Sequence, residues 1–136
     1  MSPTLSEGEF FFCALRSAGE LPAGVALATF AEPEGVSAIV PRAGAEFAGL
    51  RGEGPFRLIT LSVHSSVHAI GFTAAVAVAL ARAGIAANVV AAFHHDHVFV
   101  PAGRADDALR VLCSLSEVAE LRREGVGVEV GLRREA

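Results

Sequence analysis

Three of the chain's five histidines lie in one short run, His94, His95, Asp96 and His97. Histidine and aspartate both bind zinc and similar ions, but a closed site needs three or four ligands that converge on the metal at about 2 Å. In an extended backbone successive side chains point to opposite sides, so His95 and His97 face one way and His94 and Asp96 the other. A metal site in this run therefore requires further ligands from elsewhere in the chain.

His64 and His68 are the residues that could supply those ligands, if the fold brings them near. The sequence contains no HExxH or CxxC motif and no second cluster at ligand spacing. The other interpretation of the run is a hairpin turn in which the Asp96 side chain satisfies its own backbone. The turn is favoured, because the matching turn in the first half of the chain, AEPEG, is an ordinary acidic loop.

The stretch HSSVHAIGF, residues 64–72, is a second candidate site and would bind an anion rather than a metal. It connects a predicted strand to a predicted helix, and Ser65 or Ser66 can cap that helix. Gly71 lets a ligand approach the backbone, whose free N–H groups at a helix start attract carboxylates. An N-cap followed by a closely packed glycine explains the same residues without a ligand.

Catalytic chemistry finds little support among the remaining residues. The chain has no lysine, which excludes Schiff-base catalysis and a P-loop. It has no GxSxG motif, and Cys113 lies on a predicted core stripe, so nucleophilic catalysis is disfavoured. The adjacent Asp106 and Asp107 fit the first turn of a helix, where the dipole favours them. We therefore expect a protein that is not an enzyme and carries no cofactor.

The net charge and the hydropathy of the chain indicate which kinds of partner and which cellular compartment to expect. The net charge of −4 and the pI near 5.7 give no electrostatic reason to expect nucleic acid or a membrane as partner. The longest uncharged apolar stretch, residues 69–81, is too short to span a bilayer. The N-terminus does not resemble a secretory signal, so we predict a cytoplasmic protein. Cys13 and Cys113 are predicted to be free thiols, because they lack CxxC spacing.

Hydrophobic periodicity between residues 56 and 116 predicts the order strand, helix, strand, strand, helix. The segments are a strand at 56–63, a helix at 67–83 closed by Gly84, strands at 85–93 and 97–101, and a helix after Pro101. The first helix has an apolar stripe that should face inward, formed by Ile70, Ala74, Ala77, Leu80 and Ala81. These are five elements of the ferredoxin-like βαββαβ unit. The missing strand comes either from residues 126–130 or from the N-terminal half.

The first 55 residues contain a weaker copy of the same pattern. Residues 29–50 and 92–112 each hold a Phe, a polar turn, a strand ending in Val-Pro and a short amphipathic helix ending in Leu. Residues 8–15 would be the opening strand, but the RSAGELPAG that follows is too short and too rich in Gly and Pro for a full helix. We predict a degenerate half at 1–55, a complete domain at 56–116, and an extension at 117–136 that is either a helix and strand or a mobile tail.

The stretch HAIGFTAAVAVALARAGIAANVVAAFHHDHVFVP, residues 68–101, resembles the ACT domain, and is especially similar to the ACT repeats of aspartate kinases. The matching residues are Gly71, Phe72 and Thr73 at the helix start, then Gly84 and Ile85 before the next strand. With EGEFFFC near the N-terminus, the chain resembles bacterial tandem-ACT proteins over residues 7–116. The resemblance implies an α+β, ferredoxin-like fold with two ACT-like halves, whose antiparallel sheets are covered by helices on one face.

What the resemblance implies for function is the binding of an amino acid between two domains. Main-chain groups of the strand-to-helix loop and the next strand would hold its carboxylate and amine. The implied ligand-binding residues are Ser65, Ser66, Val67, Ile70, Gly71, Phe72, Asn88 and Val89. Aspartate kinases commonly have Asp near the position of Asn88, and an amide carries no charge to attract the ligand's amine. The implied partners are a regulated enzyme and a second copy of the chain, forming a homodimer.

Three functions stay open at the level of the sequence. The first is a regulatory protein that senses an amino acid at the strand-to-helix loop, with the first half supplying a wall of the site. The second is a metal-binding protein or small metalloenzyme that uses His94, His95, Asp96 and His97. The third is an interaction module without a ligand.

Overall fold

The computed structural model describes residues 1–62, 70–123 and 125. Its strands are β1 (Ser2–Leu5), β2 (Phe10–Leu15), β3 (Ala28–Glu32), β4 (Gly35–Pro41), β5 (Gly52–Ser62), β6 (Asn88–Ala91) and β7 (Asp96–Pro101). Its helices are α1 (Arg42–Phe47), α2 (Phe72–Arg82) and α3 (Ala105–Arg123), with short 3-10 helices at Ala18–Glu20 and Ala102–Arg104. In the described part of the chain, no helix is both long and apolar enough to cross a membrane.

The second half forms a four-stranded antiparallel sheet in the order β1-β5-β7-β6. Strand β5, helix α2, strands β6 and β7, and helix α3 follow the predicted order, and β1 occupies the place of the missing strand. Ser2 lies opposite Ser62, and Leu5 lies opposite Ile59. The N-terminal half therefore supplies the strand that completes the ferredoxin-like unit. Residues 126–130, the other predicted source, lie outside the described residues.

The first half forms a sheet in the order β3-β4-β2-β5, so β5 belongs to both halves. The first residues of β5 pair with β2 and its last residues pair with β1. The two sheets thus join into one sheet of seven strands. The 3-10 helix Ala18–Glu20 stands where the second half has the full helix α2. The predicted division at residue 55 falls inside β5 and stays a prediction.

The helices cover one face of the sheet, which we call the helix face, and the opposite side is the open face. Successive side chains of β5 and of β7 point alternately to the helix face and to the open face. Ile59 and Val98 pack with residues of α2 and α3 on the helix face, where Val40 of the first half packs near α1. Leu58 and Phe99 belong to a separate cluster on the open face. The predicted α+β ferredoxin-like fold with helices on one face is confirmed.

Helix α2 buries a different stripe of residues from the predicted one. Val76 and Leu80 are fully buried, and Phe72 packs against the same core. The prediction was right for Leu80 and wrong for the four other residues of the stripe, which are exposed: Ile70, Ala74, Ala77 and Ala81. A helix of Ala and Val is apolar on every side, so the period of its apolar residues does not identify the inner face.

The end of α2 is fixed by Gly84 and by Arg104, which lies between β7 and α3. Gly84 has a φ of 69°, and the N–H of Ile85 donates to the carbonyl of Leu80 at 3.0 Å, which is typical of a helix that ends at a left-handed glycine. The Arg104 guanidinium donates to the carbonyl of Ala83 at 3.2 Å. These bonds satisfy carbonyl groups that the helix leaves without an internal donor.

Candidate functional site

The start of α2 is the described part of the predicted strand-to-helix loop. Gly71 precedes the helix with a φ of 89°, a left-handed conformation that glycine adopts without steric cost. Its carbonyl accepts a hydrogen bond from the N–H of Ala75 at 3.0 Å. A Cβ added at Gly71 would meet no described atom within 4 Å. Ser65, Ser66 and Val67 lie outside the described residues.

The two neighbours of Gly71 have opposite environments. Ile70 is fully exposed, whereas Phe72 packs against the core of the second half and anchors the start of the helix. The first turn of α2 contains no acidic residue. The positive end of the helix dipole lies at the start of α2, and no acidic side chain in the first turn neutralises it. The start of α2 can therefore bind the carboxylate of a ligand.

Strand β6 brings only one of its two predicted site residues to this side of the sheet. Val89 packs against the helix-face core that also contacts Phe72. Asn88 is exposed and pairs with Phe99, whose side chain lies in the open-face cluster. Adjacent residues of a strand point to opposite faces, so the structure does not bring the Asn88 amide to the start of α2.

The exposed side of α2 is a second feature of this region. Val78 is 48% exposed and lies among exposed small residues, namely Thr73, Ala74, Ala75, Ala77 and Ala81. Arg82, the last residue of α2, is the only charged residue in the helix. Small apolar side chains allow another element to approach closely, and their burial would remove apolar area from water.

The histidine run lies where β6 turns into β7, as the turn interpretation predicts, but only His94 and His95 are in the turn, whereas Asp96 and His97 are the first residues of β7. The N–H of Ala92 donates to the carbonyl of His95 at 3.1 Å. The ring centroids of His94 and His95, and those of His95 and His97, are 6.4 Å apart. Among the described residues, no three His, Cys, Asp or Glu side chains are grouped so that they could hold a metal ion. Since His64 and His68 lie outside those residues, a metal site stays a prediction.

His97 differs from its neighbours because its ring lies on the open face against Thr60. The Thr60 hydroxyl and His97 Nδ1 are 3.1 Å apart and share a hydrogen bond, whose donor depends on the tautomer. Burial lowers the pKa of His97, and the nearby His95 lowers it further, while the Asp96 carboxylate opposes the shift. Around neutral pH the His97 imidazole is therefore uncharged.

Acidification should destabilise the protein through His97. The unfolded chain binds a proton there near the ordinary histidine pKa of 6.5, whereas the folded pKa is lower. Between these values the unfolded state binds more protons, so the free energy of unfolding decreases as the pH falls. The stabilisation is fully present above the ordinary pKa and is lost as the pH falls through the folded pKa. Urea unfolding followed by circular dichroism, at about pH 7.5 and about pH 5, measures the change.

A pair of histidine variants isolates this contribution. His97→Gln should reduce the loss of stability on acidification, because the group with the lowered pKa is gone. His94→Gln, at an exposed position of the same hairpin, should lose as much stability on acidification as wild type. An equal loss of stability in both variants would show that other groups cause the acid sensitivity.

The two cysteines do not form a disulfide, as the sequence predicts. Cys13 is buried on the helix face of β2. Burial raises the pKa of its thiol, so the nucleophilic thiolate is disfavoured at neutral pH.

The open face carries a pocket that the sequence did not reveal. Its volume is about 400 Å³, and its walls include Phe12, Ala14, Ala28, Phe30, Ile39 and Val90. Ala28 lies in β3 and Val90 in β6, the first and last strands of the order β3-β4-β2-β5-β7-β6. The sheet therefore curls around its open face. A smaller pocket of about 170 Å³ shares Ala28, Ile39 and Val90 with the first and extends to His97.

Comparison with known proteins connects this fold to one family. Two models of the ACT domain match the sequence, at residues 1–57 and 53–114. The chain is a tandem ACT-domain protein. The resemblance predicted from the sequence is thereby confirmed, and the two matches overlap at residues 53–57, in the part of β5 that pairs with β2.

Solved structures with the same fold include one of considerable sequence identity. A Vibrio cholerae protein, described as of unknown function and as a possible transport protein, is 44% identical to this tandem ACT-domain protein, with a TM-score of 0.77. The match covers 82% of this chain and 86% of that chain. A comparison with curated proteins finds no match.

Aspartate kinase structures show the same fold at low identity. The aspartokinase alpha and beta subunits are 14% identical, with a TM-score of 0.60 over 82% of this chain and 95% of that chain. The regulatory subunit of aspartate kinase from Thermus flavus is 11% identical, with a TM-score of 0.60 over 84% and 96% of the two chains. At these identities the likeness concerns the fold of the tandem ACT-domain protein and not its ligand.

Proposed function

We propose that this tandem ACT-domain protein is a regulatory protein, not itself an enzyme, that binds an amino acid at the start of α2. The observation that carries the proposal is the pair of ACT-domain matches across residues 1–114, because ACT domains typically bind small regulatory molecules. The similarity in fold to a regulatory subunit of aspartate kinase supports the same conclusion. The regulated partner would be an enzyme.

The start of α2 offers the ligand's carboxylate a suitable environment. The first N–H groups of a helix have no partner within the helix, and the helix dipole adds about 0.3–1 kcal/mol for a negative charge. Among the described residues, no atom lies within 4 Å of a Cβ built on the left-handed Gly71 beside these groups. Because the Asn88 side chain belongs to the other face of the sheet, the ligand's amine would be held by main-chain carbonyls instead.

A second copy of the chain is proposed to cover the exposed side of α2. Helix α2 has an uncharged outer surface until Arg82, whereas the outer surface of α3 carries Asp106, Arg110 and Glu117. An amino-acid site at the start of α2 would then lie beside the contact between two copies, where each copy could bury the ligand.

Replacing Ala77 with arginine should dissociate this homo-oligomer. The substitution places a charge and a long side chain in the middle of the exposed α2 surface, where burial without a partner is costly. Sedimentation equilibrium of wild type and variant would show the change in mass. Ala23→Arg, at an exposed position of the loop after the 3-10 helix, serves as control and should leave the mass unchanged. A monomeric wild type, or an Ala77→Arg variant of unchanged mass, would contradict the proposal.

A thermal-shift screen of the common amino acids tests the proposed function. A ligand present at about a hundred times its dissociation constant stabilises a protein by about 2.7 kcal/mol. We expect one amino acid, or a few related ones, to raise the melting temperature. Absence of a response to all of them would contradict amino-acid binding.

Replacing Gly71 with aspartate should abolish the response in that screen. The new carboxylate would lie where the ligand's carboxylate is expected, and like charges repel. Gly71→Asn has the same size without the charge and should retain part of the response. Gly84→Asp introduces the same residue at the other left-handed glycine beside α2. It is the control for backbone strain and should respond like wild type. Equal responses of Gly71→Asp and Gly84→Asp would place the ligand elsewhere.

A further inference from the structure

We propose that the open face of the sheet holds a second ligand site, for a small uncharged molecule with an aromatic or branched apolar body and one hydrogen-bonding group. The site consists of the larger pocket beside Phe12 and Phe30 and the smaller pocket that extends to His97. It lies on the face of the sheet opposite α2. It is therefore separate from the proposed amino-acid site and does not depend on it.

The shape of the open face favours a small molecule as occupant. The larger pocket, at about 400 Å³, falls within the range of about 300–1,000 Å³ that is typical of small-molecule sites. Ala28 and Val90 come from opposite edges of the sheet and line both pockets, so the two pockets form one concave cleft. A small ligand can fill such a cleft, whereas a flat protein surface would leave it empty.

The cleft is apolar and has a rigid aromatic base. Phe12 packs edge-to-face on Phe99, with ring centroids 5.4 Å apart, and Phe10 does the same at 5.8 Å. Phe99 is almost completely buried, whereas Phe30, on the β3 side of the cleft, is 73% exposed. An aromatic ligand could pack against Phe30 and remove its ring from water, which contributes favourably in proportion to the apolar area buried.

His97, which is hydrogen-bonded to Thr60, gives the smaller pocket a polar end, and Thr29 and Ser37 are the hydroxyl residues that line the larger pocket. Thr60 engages Nδ1 of the His97 ring, which leaves Nε2 as the ring's second hydrogen-bonding atom. His97 lines the smaller pocket, and no Asp, Glu or Arg is among the described residues that line either pocket. The Glu32 carboxylate accepts a hydrogen bond from the Ser37 hydroxyl beside the larger pocket but does not itself line it. With no charged side chain in the described lining, an uncharged ligand is favoured, and its hydroxyl or aryl-amine N–H could bond to the uncharged imidazole.

Fluorescence titration with N-phenyl-1-naphthylamine tests this site. The probe is uncharged, mostly aromatic and carries one N–H group. Because the chain contains neither tryptophan nor tyrosine, the probe's emission is measured without background from those residues. We expect saturable binding of one probe molecule per chain, with increased emission. Absence of saturable binding would overturn the proposal.

Two variants locate the probe. Ala28→Phe should fill the centre of the cleft and abolish binding, and Phe30→Ser should raise the dissociation constant by about fivefold or more through loss of apolar contact. Phe47→Ser is the matched control, because Phe47 is 86% exposed on α1, away from the cleft, and its loss should leave binding unchanged. Circular dichroism verifies that each variant is folded. If Phe30→Ser binds like wild type, the probe occupies another surface and the site is refuted.

A second copy covering the open face is the competing explanation. In that case Phe30→Ser would change the mass measured by sedimentation equilibrium, and probe binding would weaken as the protein concentration rises. Our proposal predicts a mass that Phe30→Ser leaves unchanged and a dissociation constant that does not vary with protein concentration. A shift in mass on Phe30→Ser would therefore overturn it.

Discussion

Replacing Phe99 with alanine should lower the free energy of unfolding by about 3–5 kcal/mol, the range for removal of a buried phenylalanine. Phe99 is 1% exposed and lies in β7 at the centre of the open-face cluster. Its ring contacts Phe10 and Phe12 of β2, so it joins the first half of the protein to the second. Urea unfolding followed by far-ultraviolet circular dichroism measures the effect, since the chain has no tryptophan to report unfolding.

The matched control for Phe99→Ala is Phe93→Ala. Phe93 is 80% exposed in the turn between β6 and β7, six residues before Phe99. Its loss should change the free energy of unfolding by less than about 0.5 kcal/mol, as for most surface substitutions. A loss below about 1 kcal/mol for Phe99→Ala would contradict the burial of its ring between the two halves.

Replacing Gly35 with alanine should destabilise the first half by about 2–5 kcal/mol, from backbone strain and overpacking together. Gly35 begins β4 with a φ of 144°, a conformation that residues with a Cβ rarely adopt. A Cβ there would also overlap the backbone oxygen of Leu15 in β2. Because both atoms belong to the main chain or are fixed to it, a change of side-chain rotamer cannot relieve the overlap. The free energy of unfolding in urea measures the loss.

Gly24→Ala separates the overlap from the strain. Gly24 also has a positive φ, of 81°, but a Cβ there meets no described atom within 4 Å. In this variant only the strained backbone conformation should lower the free energy of unfolding, by about 1–3 kcal/mol, which is less than the loss in Gly35→Ala. Equal losses in the two variants would show that the close approach of β2 to Gly35 is absent in solution.

The order of elements in the second half could be predicted because each has a strong local pattern. Strand β5 alternates, α2 ends at Gly84, and β7 ends at Pro101. Strand β1 could not be predicted in this way, because SPTL is only four residues long and has no strong pattern. Its pairing with β5 connects residues 54 to 60 positions apart, from Leu5 with Ile59 to Ser2 with Ser62, and such long-range pairing leaves no local signal.

The candidate site was predictable only in part, for related physical reasons. Gly84 could be recognised because a left-handed residue after a helix C-terminus favours glycine, and Gly71 because it matches the glycine at the helix start of ACT domains. The side of the sheet that Asn88 faces depends on strand register, which a shift of one residue reverses. The open-face cleft was missed because its walls come from β3 and β6, which meet only when the whole sheet curls.

An NMR titration tests amino-acid binding at the start of α2 most directly. Amide chemical shifts are recorded while the amino acid that raises the melting temperature most is added. We predict that the largest shifts belong to Gly71, Phe72 and the preceding loop, and that Gly71→Asp removes them. Shifts confined to the open face, around Phe30 and Val90, or to the hairpin of residues 93–95, would contradict it. An unchanged spectrum at saturating amino acid would contradict it as well.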